Sequence, residues 1–145
     1  MNSINWLSMA LATITPLVVG YLLFHPKVLG NASISAIGAD GNTSRKIINV
    51  VIALICSFFL SFFLLNFNND GINQEGDFDN FAHGAWHGLF VSITLGLPFT
   101  VICGLVWKVK WKHILIHVLY LIICLVLMGG MIDAMNHWEN VVIPD

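Results

Sequence analysis

Charged side chains are scarce in this sequence, since only 10% of its 145 residues are Asp, Glu, Lys or Arg. A soluble domain usually carries about 25% charged residues. Because 57% of the residues are hydrophobic, too little polar surface remains to cover a globule in water. The composition therefore excludes an ordinary soluble domain and indicates a protein that folds in lipid.

The motifs of the common enzyme classes are also absent. The sequence contains no Walker phosphate loop, no GxSxG nucleophile motif and no HExxH zinc motif. It has no basic patch of the kind that binds nucleic acid. The three cysteines, Cys56, Cys103 and Cys124, lie in apolar stretches and form no CxxC pair, which predicts packing rather than redox chemistry. The sequence therefore favours a non-enzymatic role.

Four charge-free stretches, each at least 20 residues long, account for most of the chain: 1–26, 47–69, 80–107 and 113–132. About 20 apolar residues cross a bilayer core of roughly 30 Å. We therefore predict an all-α fold, a single membrane domain over residues 1–145. Its four transmembrane helices are predicted at approximately 4–24, 47–67, 81–106 and 114–135. The first apolar run is too long for a cleavable signal peptide, so we expect it to be a permanent helix.

Positive and negative charges are segregated along the sequence. All six basic residues lie between the first and second helices or between the third and fourth: Lys27, Arg45, Lys46, Lys108, Lys110 and Lys112. Seven of the eight acidic residues lie between the second and third helices or near the C-terminus, and only Asp40 lies among the basic ones. Short loops rich in Lys and Arg remain cytoplasmic. The pattern therefore predicts that both termini and the acidic loop are extracytoplasmic.

Small residues recur at every fourth position of the third helix: Gly84, Gly88, Ser92, Gly96, Thr100 and Gly104. Such a series lets two helix backbones approach closely in lipid. It predicts either close packing within one chain or a contact between copies in a homo-oligomer. Two prolines, Pro16 and Pro98, fall inside predicted helices and are expected to kink them.

The six histidines are the main candidates for function, and four of them form two H-x-x-x-H pairs. Residues four apart share one face of a helix. Counting outward from a hairpin turn centred near Lys110 places His87 level with Asp133, and His83 level with His137. We therefore predict that these four residues converge near the outer end of the third and fourth helices.

Imidazole and carboxylate ligands together suit Zn, Fe or Mn, so His83, His87, Asp133 and His137 form a candidate metal site. Haem ligation, proton or ion movement and a purely structural, hydrated role are alternatives for the same cluster. The second pair, His113 and His117, lies near the predicted cytoplasmic face. There it is expected to anchor the helix at the interface or to form a second cluster with His25.

The sequence contains several short motifs: Asn5-Trp6, Gly20 followed by Pro26 and Leu29-Gly30, Leu119-Tyr120, and Leu127-Met128-Gly129. Together they resemble the motifs of DUF1761, a family of small bacterial integral membrane proteins of unknown function. The resemblance implies four spans in the bacterial cytoplasmic (inner) membrane. It implies no activity, cofactor or catalytic residue.

Three functions are consistent with these features. The first is a non-enzymatic bundle in the lipid bilayer that acts as a homo-oligomer or as an accessory subunit of a larger membrane assembly. The second is a metal- or haem-binding membrane protein that uses the outer His/Asp cluster. The third is a small transporter or channel with Asp133 and the histidines along its path.

Overall fold

The computed structural model describes residues 4–25, 27–29, 43–68 and 80–136, and these contain four helices. The helices are α1 (Trp6–Leu23), α2 (Thr43–Asn68), α3 (Phe81–Val106) and α4 (Trp111–Met135). Each is long and apolar enough to cross a membrane, which confirms the predicted all-α fold with four spans. The orientation of the termini remains a prediction.

Two helices begin earlier than the apolar runs from which they were predicted. α2 begins at Thr43 instead of residue 47, and α4 begins at Trp111 instead of residue 114. The predicted starts were set where charge disappears from the sequence. Long basic side chains, however, extend toward water from helix ends, so a helix can continue past the charge-free stretch.

The helices run alternately up and down, and α4 is the central one. It packs against each of the other three. The core lies between all four helices and consists of buried apolar side chains: Met9, Ala12, Leu64, Leu65, Val91, Cys124, Leu125, Met128 and Ile132. Many large apolar side chains on α1, α2 and α3 point away from the bundle instead. This distribution is expected of helices surrounded by lipid.

The small-residue series of α3 faces α4 of the same chain. A Cβ atom added to Gly84 would collide with the carbonyl oxygen of Gly129, and one added to Gly88 would collide with that of Leu125. At the other end of the series, a Cβ on Gly104 would lie 2.6 Å from a side-chain carbon of Ile114. The series therefore serves packing within the chain, the first of its two predicted uses.

The middle of α3 is not a regular α-helix. Residues Ser92–Gly96 form a π-helical segment, in which the N–H of Leu97 donates to the carbonyl of Ser92. Pro98 follows directly and has no N–H to donate to the preceding turn. A π segment is one of the recognised local adjustments in a helix. The kinks expected at Pro16 and Pro98 remain predictions.

The turn between α3 and α4 is centred on Lys108, whose φ of 56° is left-handed. The N–H of Val109 donates to the carbonyl of Gly104 over 2.8 Å, a bond of the Schellman type that closes a helix C-terminus. This centre lies two residues before Lys110, from which the predicted register was counted. The register between α3 and α4 differs accordingly.

Candidate functional site

Polar side chains are buried at the end of the bundle where α3 begins and α4 ends. Asp133 is 4% exposed, Asn68 4% and Asn136 6%. Within the described residues, every buried side-chain nitrogen or oxygen has a hydrogen-bond partner. This end of the bundle therefore contains a satisfied polar network, and His83 and His87 belong to it.

The first contact of this network joins His83 of α3 to Asp133 of α4. The Nδ1 atom of His83 lies 2.9 Å from Oδ2 of Asp133. When this carboxylate is ionised it only accepts hydrogen bonds, and Nδ1 of His83 is then the donor. Asn80 fixes the start of α3 and hence the position of His83, because its Oδ1 accepts the His83 backbone N–H over 3.0 Å.

The second contact joins His87, one turn further along α3, to Asn68 in the last turn of α2. Nδ1 of His87 lies 3.1 Å from Oδ1 of Asn68. The amide nitrogen of Asn68 donates to the carbonyl of Gly129 over 3.4 Å, which directs Oδ1 toward the histidine. The ring of His87 therefore also donates through Nδ1, this time to an amide oxygen.

The two imidazole rings lie side by side. Their centroids are 4.2 Å apart and their planes meet at 59°. The His87 and Phe67 rings also meet edge to face at a centroid distance of 5.6 Å. Packing on one side and a hydrogen bond on the other fix the orientation of this ring.

The register of the predicted site is wrong by one helical turn. The hairpin count placed His87 level with Asp133, whereas the structure places His83 there and His87 one turn deeper. The cause is the position of the turn, which is centred on Lys108. His83, His87 and Asp133 nevertheless lie close together, since the two imidazole rings are in contact and His83 bonds the Asp133 carboxylate.

The fourth predicted ligand, His137, lies outside the described residues. Among the residues that the structure describes, no group of three or more His, Cys, Asp or Glu side chains could hold a metal ion. The described part of the candidate site is thus a pair of imidazoles, each oriented by an oxygen atom of another helix. Asp133 orients His83 in this arrangement.

Asparagines have a larger part in this network than the sequence indicated. Asn5 caps α1 by accepting the N–H groups of Leu7 and Ser8, and its amide nitrogen donates to the carbonyl of Met135 over 2.8 Å. Asn136 accepts the N–H of Asn5 over 2.8 Å and donates to Oγ of Ser8 over 2.7 Å. These bonds join the start of α1 to the end of α4, beside Asp133.

The second histidine pair lies at the opposite end of the bundle, in aromatic surroundings. The ring of His117 packs against Phe24 at a centroid distance of 6.0 Å. Nearby, the hydroxyl of Tyr120 donates to the carbonyl of Pro16 over 2.8 Å. The His25 ring accepts the backbone N–H of Lys27 at its Nδ1 over 3.3 Å. The interfacial role of this group remains a prediction.

The family model of DUF1761, a protein family of unknown function, matches residues 7–132 of the chain. The chain belongs to the DUF1761 family. Among curated proteins and among solved structures, no match was found. The DUF1761 match includes Asn68, His83 and His87, and it ends one residue before Asp133. Because the family has no known function, it assigns no role to these residues.

Proposed function

We propose that this DUF1761 protein binds a divalent transition-metal ion through Nε2 of His83 and Nε2 of His87. The observation that carries the proposal is the hydrogen bonding of the two rings. Each ring has its Nδ1 atom within hydrogen-bonding distance of an oxygen atom of a different neighbouring helix. Metal-binding histidines in proteins are characteristically held in this way by a carboxylate, a carbonyl oxygen or water.

The hydrogen bonds at Nδ1 bear on which ring nitrogen carries the lone pair. A neutral imidazole that carries its proton on Nδ1 has its lone pair on Nε2. Both neutral rings therefore present the same ligand atom. Two histidines spaced four apart on one helix face also supply two ligands of the known helical zinc motif.

The separation of the rings suits a shared ion. With Zn–N bonds of about 2.0–2.1 Å and tetrahedral angles, the two Nε2 atoms would lie about 3.3 Å apart. Ring centroids 4.2 Å apart are compatible with this separation. Imidazole ligands suit Zn, Cu, Fe or Ni, and water would complete the coordination in this proposal. The assignment of His137 as a further ligand remains a prediction from sequence.

The other predicted functions have less support. The small-residue series that motivated a homo-oligomer packs against α4 of the same chain. The buried middle of the bundle is lined mainly by apolar side chains, which offers little support for a transport path. From the distribution of basic residues, we propose that the metal site faces the outer side of the bacterial inner membrane.

Cobalt binding tests the proposal. Purified protein in detergent is stripped with a chelator and titrated with Co²⁺, whose visible absorption reports coordination, and then with Zn²⁺ in competition. We expect one site per chain that is lost in His83→Ala and in His87→Ala. Asp133→Asn should retain the site but weaken it about 10–100-fold, as removal of an orienting carboxylate does.

The matched control is the double variant His113→Ala/His117→Ala, which removes two histidines of the same spacing from the opposite end. It should bind Co²⁺ as the unaltered protein does. The proposal fails if the unaltered protein gives no stoichiometric site, or if the site survives both single alanine variants. A site lost only in the control would assign the metal to the other end of the bundle.

A further inference from the structure

The basic end of the bundle is where α1 and α3 end and where α2 and α4 begin. Four lysines of this end lie in the part of the chain whose side chains are described, and all four are exposed: Lys27, Lys108, Lys110 and Lys112. Arg45 and Lys46 lie in the first turn of α2, at the same end. The carboxylate of Asp133, which is the only one among the described residues, lies at the opposite end.

Two tryptophans alternate with the lysines in the turn between α3 and α4. The sequence from Trp107 to Lys112 reads W-K-V-K-W-K. The indole of Trp107 is 74% exposed and that of Trp111 is 58% exposed. Exposed tryptophans at the ends of transmembrane helices lie at the level of the lipid headgroups. The lysines beside them are therefore within reach of lipid phosphates.

We propose that the basic end binds anionic phospholipid headgroups in preference to zwitterionic ones. Lys108, Lys110 and Lys112 lie within five residues of one another, so their charges repel. The segments that join the helices at this end, together with the first turns of α2 and α4, contain all six basic residues and one acidic residue, Asp40. An anionic headgroup would offset this excess, whereas phosphatidylcholine brings its own positive charge. Clustered basic residues beside transmembrane helices attract anionic lipids through this complementarity.

Tryptophan quenching measures the lipid composition at this end directly. In a Trp6→Phe/Trp86→Phe/Trp138→Phe background, fluorescence comes only from Trp107 and Trp111. This protein is reconstituted in phosphatidylcholine vesicles that contain either brominated phosphatidylglycerol or brominated phosphatidylcholine at equal mole fraction. We expect the brominated anionic lipid to be preferred at least about fivefold beside these tryptophans.

Two comparisons test the role of the lysines. Replacing Lys108, Lys110 and Lys112 together by Gln should bring the ratio of quenching by the anionic lipid to quenching by phosphatidylcholine close to one. In the complementary Trp107→Phe/Trp111→Phe background, the remaining tryptophans should show no preference for the anionic lipid. Equal quenching by both lipids in the first background would overturn the proposal, as would a preference that survives the triple Gln substitution.

Ionic strength provides a test that does not depend on the folding of the triple variant. The Debye length falls from about 10 Å at 0.1 M salt to about 3 Å at 1 M. An attraction between exposed lysines and headgroups must therefore weaken as salt is added. A preference that is the same at both salt concentrations would assign it to acyl-chain packing and overturn the electrostatic proposal.

Discussion

Asn68 illustrates how one side chain can serve two helices at once. Its oxygen accepts from His87 of α3, and its amide nitrogen donates to the carbonyl of Gly129 in α4. It is 4% exposed, so water cannot readily replace either partner. Removing this side chain would remove one hydrogen bond from His87 of α3 and one from the Gly129 carbonyl of α4. Buried polar groups that lose a hydrogen-bond partner are costly.

We therefore expect Asn68→Ala to lower the free energy of unfolding by about 1–3 kcal/mol. The matched control is Asn66→Ala. Asn66 is exposed and donates only locally, to the carbonyl of Phe62 in its own helix over 2.7 Å, so its removal should cost less than about 0.5 kcal/mol. Thermal unfolding in a fixed detergent measures both. Equal melting temperatures for the two variants would contradict the bridging role of Asn68.

At the scale of helices, the contact between α3 and α4 depends on backbone approaching backbone. Gly88→Ala would place a methyl group against the carbonyl of Leu125, and a backbone atom cannot rotate away as a side chain can. We expect a loss of about 1–3 kcal/mol, typical of overpacking, together with weaker metal binding because His83 and His87 move with α3. The melting temperature and a Co²⁺ titration measure the two effects.

Gly20→Ala is the control for this substitution. A Cβ atom at Gly20 would meet the Tyr120 ring at 3.5 Å, which is ordinary van der Waals contact. Alanine also favours a helix over glycine by about 1 kcal/mol, so this variant should be as stable as the unaltered protein or more so. If Gly88→Ala had the same melting temperature as Gly20→Ala, the result would contradict the close approach of the α3 and α4 backbones.

The elements of this fold were more predictable from sequence than their register. Charge-free runs of at least 20 residues identify membrane helices because lipid excludes charge along the whole span, and α3 begins and ends where predicted. The register depends on the turn, and a lysine in left-handed conformation at position 108 leaves no signal of the kind that glycine gives. The count was therefore centred two residues late, and Asp133 was assigned to His87.

The partners of the two histidines were only half predictable, for a related reason. Asp133 stands out because a carboxylate within a span is costly, by at least roughly 2.5–3.5 kcal/mol on insertion scales. Asn68 carries no charge and follows an aromatic run at the end of α2, so nothing in its sequence position distinguishes it from Asn66. Only the packing of α2 against α3 shows which asparagine faces the site.

At the scale of the whole molecule, the basic residues all belong to one end of the bundle and the described polar network to the other. Positive charges near short loops remain cytoplasmic during insertion. We therefore predict that both chain termini are extracytoplasmic, and that the His83–His87 pair is on that side. An ion bound there would come from outside the cell and would not have to cross the membrane to reach its ligands.

Reporter fusions test this orientation. Alkaline phosphatase is active only after export, so a fusion after Asp145 should be active and one within residues 26–44 inactive. Green fluorescent protein at the same two positions should give the complementary pattern, because it becomes fluorescent in the cytoplasm. The reverse result with both reporters would place both termini inside. The geometry of the two histidines would be unchanged in that case, but their metal would have to come from the cytoplasmic pool, and the basic end would face the outer leaflet.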